Sequence, residues 1–369
     1  MWSSNELIAI ATKYNWNARP YTKNDLPKYL KLTLSEHGEK ADISDALYIK
    51  WLYEQNPAGE VNMWLAESDN KIVGSYSTIP VNLLVDGEEI LGSQSLNTLT
   101  HKDYRGKKIF ITLAELSYQN GFKDRGITLI YGLPNRNSYH GFLKYLNFTD
   151  IGNIPLLIKI NNLGNLLKRQ SRFIPSWFFN LAGKCLFRRQ RLSYDRKHLK
   201  IERILSFDDR FDCLWEVNKR LFKNIIIRSK KYLNWRYTDN PNRKYAIFSI
   251  TDLMDNLKGF VVCKTAYIRG IKTGLIGDLF VEENDRQIAS LLIKKAEEYL
   301  YEQNSDILGM LMFKHAPFYN TFIENNFIKY PSLFNSKSFP VIVRSMDKKL
   351  YPIANPEKWY LTMGDFDIF

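Results

Sequence analysis

The stretch Thr100-His101-Lys102-Asp103-Tyr104-Arg105-Gly106-Lys107-Lys108-Ile109-Phe110 is a basic turn between two segments of opposite character. Ser95 to Thr100 before it reads as a strand. After it, Ile109, Leu113 and Leu116 recur at the i, i+4, i+7 spacing of a helix. A strand that turns into a helix leaves unpaired backbone N–H groups at the helix N-terminus, and the helix dipole adds partial positive charge there. With Arg105, Lys107 and Lys108 around Gly106, the turn reads as a seat for an anionic group such as a phosphate. A solvated turn kept soluble by its cations is the plain alternative.

The flanking sequence gives this turn a frame. Upstream, Ile72 to Ile79 and Val81 to Val85 read as strands, and Asp86-Gly87 is a type I′ hairpin signal leading into Glu88 to Leu91. Downstream, Ile127 to Leu133 reads as a strand ended by Pro134, Ser138 as the cap of a short helix to Leu146, and Phe148 to Ile151 as a return to the sheet. The expected unit is α/β with a mixed sheet, in the α+β manner, and one strand-loop-helix crossover.

The plan recurs. Tyr48, Trp51, Tyr53, Asn56 and Pro57 return with identical spacing as Tyr232, Trp235, Tyr237, Asn240 and Pro241. Gly74, Gly87, Arg105 and Phe148 are answered in order by Gly259, Gly270, Arg286 and Phe327. A second set of strands is expected at Phe260 to Tyr267, Ile271 to Leu275 and Gly277 to Val281, with a turn at Arg269-Gly270 and a helix over Ile288 to Tyr301. The sequence therefore predicts a duplication: a first domain over residues 1–152, a basic connector over 153–200, and a second domain with a C-terminal tail over 201–369.

Composition sets bounds on what such a chain does. Its 369 residues are 45% hydrophobic and 25% charged, the profile of a folded chain with a core. Cys185, Cys213 and Cys263 stand far apart and match neither a disulfide framework nor a metal-ligand spacing, so no metal is expected. No secretory signal and no run of about 18 or more apolar residues is present, and a cytoplasmic location is expected. The net charge of +13 calls for anionic partners. Most of the excess sits between Lys168 and Lys200, where ten Lys and Arg face one acid, Asp195, and Trp177, Phe178, Phe179 and Phe187 are interleaved. This segment is expected either to touch an anionic membrane surface peripherally, at the inner face, or to form a solvated basic edge.

The loop and its context resemble the acetyl-CoA loop of the GNAT superfamily, in which Gln or Arg, two residues, Gly, one residue, and Gly or Ala cradle a pyrophosphate after the fourth strand. Arg105, Gly106, Lys107 and Ile109 match that pattern; Lys108 stands where the central Gly is usual and Phe110 where a small residue is usual. Pro134 to Tyr139 and Phe142 to Phe148 resemble the family's segment after the fifth strand, with Leu143 where many relatives carry the Tyr that protonates the thiolate. The repeat, together with Trp359 to Asp365, is similar to tandem GNAT proteins found with bacterial surface-polysaccharide genes.

The resemblance implies two tandem GNAT-like acyltransferase domains, of which the first binds acyl-CoA, acetyl-CoA in the simplest case. It implies an enzyme that transfers the acyl group directly to an amine, such as an amino sugar or a cell-envelope precursor, in a ternary complex. Leu99 and Thr100 would run along the pantetheine arm, Arg105, Gly106, Lys107, Lys108, Ile109 and Phe110 would hold the pyrophosphate, and Asn137 would lie beside the cofactor. Asn97 occupies a position where relatives often carry an acid. Tyr139 and Tyr145 are substitute acids for the thiolate, His101 and His140 candidate bases, and Asp365 and Asp367 tail acids able to accept the amine's proton. The second loop, Asn284 to Ser290, has no glycine and follows Glu282 and Glu283, so no cofactor is expected there. A Fem-like aminoacyl transferase using charged tRNA and a non-catalytic GNAT-fold binding protein are the alternatives. Nucleic acid is not the expected partner, because the Arg105-Gly106 loop has no use in the Fem-like family.

Overall fold

The computed structural model describes residues 2–161, 198–330, 339–347 and 353–369. They divide into two compact units, one of Met1–Gly152, Asp239–Arg243 and Phe339–Pro356, the other of Asn153–Thr238, Lys244–Ser338 and Glu357–Phe369. The basic run from Lys168 to Lys197, and with it the expected membrane contact, lies outside the described residues. No described helix is long and apolar enough to cross a membrane.

Unit 1 is a mixed sheet of β1 (Asn17–Pro20), β2 (Asn62–Ser68), β3 (Lys71–Val85), β4 (Glu88–Thr100), β5 (Leu129–Gly132), β6 (Thr149–Asn153) and β15 (Pro340–Ser345), in the order β1-β2-β3-β4-β5-β15-β6. The hairpin signal acts as read: Asp86 and Gly87 both take positive φ, 48° and 91°, and lock the β3–β4 register. The helices are α1 (Ser4–Lys13), α2 (Leu26–His37), α3 (Ala46–Glu54), α4 (Ile109–Arg125) and α5 (Arg136–Tyr145). α5 starts earlier than expected. Its cap is Asn135, whose Oδ1 accepts from Asn137 N at 2.9 Å and Ser138 N at 3.1 Å, so Ser138 lies inside the first turn.

Side chains alternate across β3, and this alternation sorts the helices. Tyr76 meets Tyr118 of α4, with Leu113, Ala114, Ile130, Phe142, Leu146 and Phe148 completing that core. Ser77, one residue on, faces the opposite way and meets Tyr53 of α3 at 3.3 Å. Each fully buried side chain of this core contributes about 1.5–3 kcal/mol.

Unit 2 is a second mixed sheet, of β7 (Leu156–Ile160), β8 (Leu199–Ile204), β10 (Ala246–Asp252), β11 (Leu257–Ile268), β12 (Ile271–Val281), β13 (Ile307–Leu311) and β14 (Ile328–Lys329), in the order β14-β7-β13-β12-β11-β10-β8. Its helices are α6 (Asp209–Asn218), α7 (Lys230–Leu233), α8 (Arg286–Glu302) and α9 (Tyr319–Glu324), and a short β9 (Asn224–Ile226) pairs in parallel with β16 (Trp359–Tyr360).

Two strands depart from the sequence reading. Residues 156–160 were assigned there to a connector, but β7 lies between β13 and β14; residues 340–345 were assigned to the second domain, but β15 lies between β5 and β6. A short apolar run states that it is buried, not which sheet buries it. The two strands have matching surroundings. Arg344 of β15 pairs with buried Glu115 of α4 at 2.6 and 3.1 Å and donates to Leu146 O at 2.8 Å. Lys159 of β7 pairs with Glu297 of α8 at 2.7 Å and donates to Asn325 O at 3.0 Å. An ionised group deep in a core stays there only when paired in this way.

Candidate functional site

In unit 1, β4 and β5 run parallel from Gly92↔Leu129 to Ser95↔Gly132 and then stop pairing. Residues 96–100 continue along β3 alone among the described strands. A bulge opposite Tyr76, between the Ser77↔Leu96 and Ser75↔Leu99 pairs, bends β4 at the same point. Leu99 and Thr100 therefore lie on a strand whose second edge has no strand partner among the described residues, and the chain passes from there into the basic loop.

The loop keeps its shape without the usual glycine. Lys108 is the N-cap of α4 and takes the left-handed conformation, φ 59° and ψ 12°, which a non-glycine residue adopts at a cost of about 1–2 kcal/mol. It offers no side-chain cap, and the first bond into the helix is Thr112 N to Lys108 O at 3.1 Å. The N–H groups of Ile109, Phe110 and Ile111 thus have no carbonyl within their own helix, and the dipole points positive at them.

Three contacts hold the loop, and two of them use residues with no signal in the sequence. Trp16 Nε1 donates to Lys107 O at 3.2 Å. Glu36 accepts from Lys102 N at 3.2 Å and from Arg105 Nη2 at 2.9 Å, so the Arg105 guanidinium is already paired. The Lys107 ammonium lies 4.2 Å over the Tyr104 ring. Glu36 and Arg105 stand 69 positions apart, beyond the reach of any local pattern.

The other expected site residues fare unequally. Phe110 packs inward against Phe142 and Tyr76, with ring centroids at 5.2 and 5.9 Å, so its side chain belongs to the core. Asn137 is exposed in the first turn of α5. Asn97 sits at the bulge with φ 52°, and its Nδ2 donates to Tyr53 Oη at 3.2 Å; Tyr53 in turn meets Tyr29 Oη at 3.1 Å. This is a polar residue held by hydroxyls, not a base. Tyr139 donates its proton to Asp150, and that bond together with partial burial pushes its phenol up to about 12. A phenol tied to a carboxylate is a poor donor for a thiolate. Tyr145 is half exposed and its ring lies 5.3 Å from the Lys144 ammonium.

Asp365 is a correction. Expected in an accessible tail, it is 2% exposed inside unit 2 and accepts from Arg228 Nη2 at 2.9 Å and Thr362 N at 2.7 Å. Arg228 also faces Asp278 at 3.3 Å. Burial pushes the Asp365 carboxyl upward while Arg228 opposes it. A sealed ion cluster of this kind holds a fold together and offers no acid to a substrate.

The corresponding places in unit 2 are closed. Asp285 caps α8 with its own carboxylate, which accepts from Gln287 N at 2.7 Å and Ile288 N at 3.1 Å. β12 and β13 part after Leu275↔Gly309, and the tail enters there: Thr362 bridges to Met312, and Tyr360 donates to Leu279 O. The Phe369 ring packs against Gly277, in the space a side chain there would fill. Among the described residues no group of His, Cys, Asp and Glu is placed to hold a metal ion.

Residues 17–146 match the acetyltransferase (GNAT) domain family. No curated protein matches the chain by sequence. Among solved structures, the chain is similar to a GCN5-related N-acetyltransferase from Anabaena variabilis, at 11% identity and TM-score 0.62 over 90% of this chain and 73% of that one. A probable N-acyltransferase of unknown function from Enterococcus faecalis matches at 11% identity and TM-score 0.60, over 91% of this chain and 74% of that one. The N-myristoyltransferase of Saccharomyces cerevisiae with bound myristoyl-CoA matches at 12% identity and TM-score 0.57, over 90% of this chain and 79% of that one. These likenesses show the fold: the chain has a mixed α/β architecture like that of GNAT proteins.

Proposed function

We propose that this chain transfers an acyl group from an acyl-CoA thioester, acetyl-CoA in the simplest case, to an amine, with the cofactor held by unit 1 alone. The observation that carries this reading is the uncapped N-terminus of α4 lying directly beyond the separation of β4 from β5. A pyrophosphate there gains the N–H groups of residues 109–111 and the lysines of the loop, each charge-assisted bond being worth about 1.5–3 kcal/mol. The free edge of residues 96–100 supplies backbone groups for the pantetheine arm, and a backbone N–H of β4 polarises the thioester carbonyl. The neutral amine attacks that carbon, the C–S bond breaks, and the thiolate leaves.

With Tyr139 bound to Asp150, Asn97 bound to Tyr53 and Asp365 sealed in unit 2, proton transfer passes to water. The acceptor belongs to the same proposal: an amine, with an amino sugar or cell-envelope precursor as the first candidates to assay. The recurrent motifs, and the matching pairs Arg344–Glu115 and Lys159–Glu297, support a tandem duplication of which the second copy has lost its cofactor site.

Titration calorimetry with acetyl-CoA tests the proposal. One site per chain is expected, with binding abolished by Arg105→Gln combined with Lys107→Glu and unchanged by Arg286→Glu. Two sites per chain, or full affinity in the double variant, would sink it.

A further inference from the structure

The residue that breaks the loop pattern, Lys108, has company that the pattern does not account for. Its left-handed backbone is one that glycine adopts without strain, so a lysine there carries a conformational cost. The Lys108 ammonium lies 6.0 Å from the centroid of the Trp2 ring. Trp2 is 49% exposed, so a face of its ring is open to a stacking partner beside the cation.

The position of Trp2 is fixed by the chain around it. Gln119 of α4 donates to Trp2 O at 2.7 Å and accepts from Ser4 Oγ at 3.0 Å. Ser3 and Glu6 form a capping box at the start of α1, immediately after Trp2. A second aromatic and cation pair, Tyr104 under Lys107, stands four and one residues before Lys108 in the loop.

We propose that Trp2 and Lys108 form a subsite for the nucleotide end of the cofactor, the Trp2 ring stacking on the adenine and the Lys108 ammonium pairing with the 3′-phosphate. This rests on the acyl-CoA reading above. The chemistry is specific: a purine presents a flat π face and the 3′-phosphate a dianion, and an exposed indole beside an ammonium answers both. Lysine at the position of the usual glycine then exchanges an unstrained backbone for a contact with phosphate.

The test compares CoA, 3′-dephospho-CoA and 4′-phosphopantetheine by calorimetry on the full chain, with melting temperature recorded for each variant. The wild type should bind CoA about tenfold more tightly than 3′-dephospho-CoA, the worth of one charge-assisted contact. Lys108→Gly should erase that preference, whatever it does to 3′-dephospho-CoA affinity itself, and hold or raise the melting temperature, because glycine suits the positive φ. Trp2→Ala should weaken CoA and 3′-dephospho-CoA alike by about tenfold and leave 4′-phosphopantetheine unchanged. A Lys108→Gly variant that keeps the wild-type ratio of CoA to 3′-dephospho-CoA, or a Trp2→Ala variant that loses 4′-phosphopantetheine equally, overturns the subsite while the acyl-CoA reading stands. A wild-type chain that binds no CoA removes both.

Discussion

The N-termini of α4 and α8 follow corresponding strands in two similar sheets, yet the chain treats them in opposite ways. At α4 the cap is a lysine, whose ammonium cannot accept from the helix N–H groups, the preceding loop is basic, and β4 runs on past β5 with no second strand partner among the described residues. At α8 the cap is Asp285, whose carboxylate already occupies the place an anion would take, and the gap between β12 and β13 receives residues 359–369. One fold can thus leave a helix start open or close it by changing a capping residue and by choosing where the tail goes. The fold is shared; the difference is local.

The largest test of this contrast is the tail. The sequence reads Asp365 as a tail acid able to take a proton; with Asp365, Phe366 and Phe369 buried, loss of the last five residues should instead lower the melting temperature. Phe369→Ala should destabilise unit 2 by about 3–5 kcal/mol, the range for truncating a buried aromatic, and leave acetyl-CoA affinity unchanged. Thermal melting with calorimetry reads both. An unchanged melting temperature would show that the tail does not fill the gap.

The buried ion pairs sharpen the comparison. Arg344 holds Glu115 with two nitrogens contacts in a nearly sealed site, whereas Lys159 holds Glu297 through one and is 22% exposed. Removing one partner of a buried pair costs about 3–5 kcal/mol. Arg344→Met should reach that range and Lys159→Met fall below it, measured by denaturant unfolding. The reverse order would show that unit 2 depends on its borrowed strand more than unit 1 does.

The smallest expected effect is in acid. Arg19 beside Asp25 draws its carboxyl down to about 2 from 3.8, while burial moves Asp365 the other way. A depressed carboxyl contributes stability that is complete above its unfolded value and is lost as pH falls through the folded one. Unit 1 should therefore lose about 2 kcal/mol between pH 4 and pH 2 from this group, and Asp25→Asn should flatten that limb of the stability curve. Asp365 has the opposite sign, since a raised carboxyl costs stability as pH rises above its unfolded value. An acid limb unchanged by Asp25→Asn would remove Asp25 from the account.

Much of the fold was legible because its signals are local. Asp86-Gly87 and Arg269-Gly270 state hairpins through the positive φ their turns require, and both pairs adopt it. The order of strand, loop and helix from Ser95 to Leu116 could be read from the residues alone. Three matters were settled only by the folded chain. β7 and β15 join sheets that their neighbours in sequence do not predict, because strand pairing is decided by which edge is free and not by the strand's own residues. Glu36 and Trp16 hold the loop from distant positions, and their identities carry no periodic signal. The role of Asp365 turned on burial: the same carboxylate is an accessible acid in water and a structural ion beside Arg228, and the sequence records the residue but not its solvent.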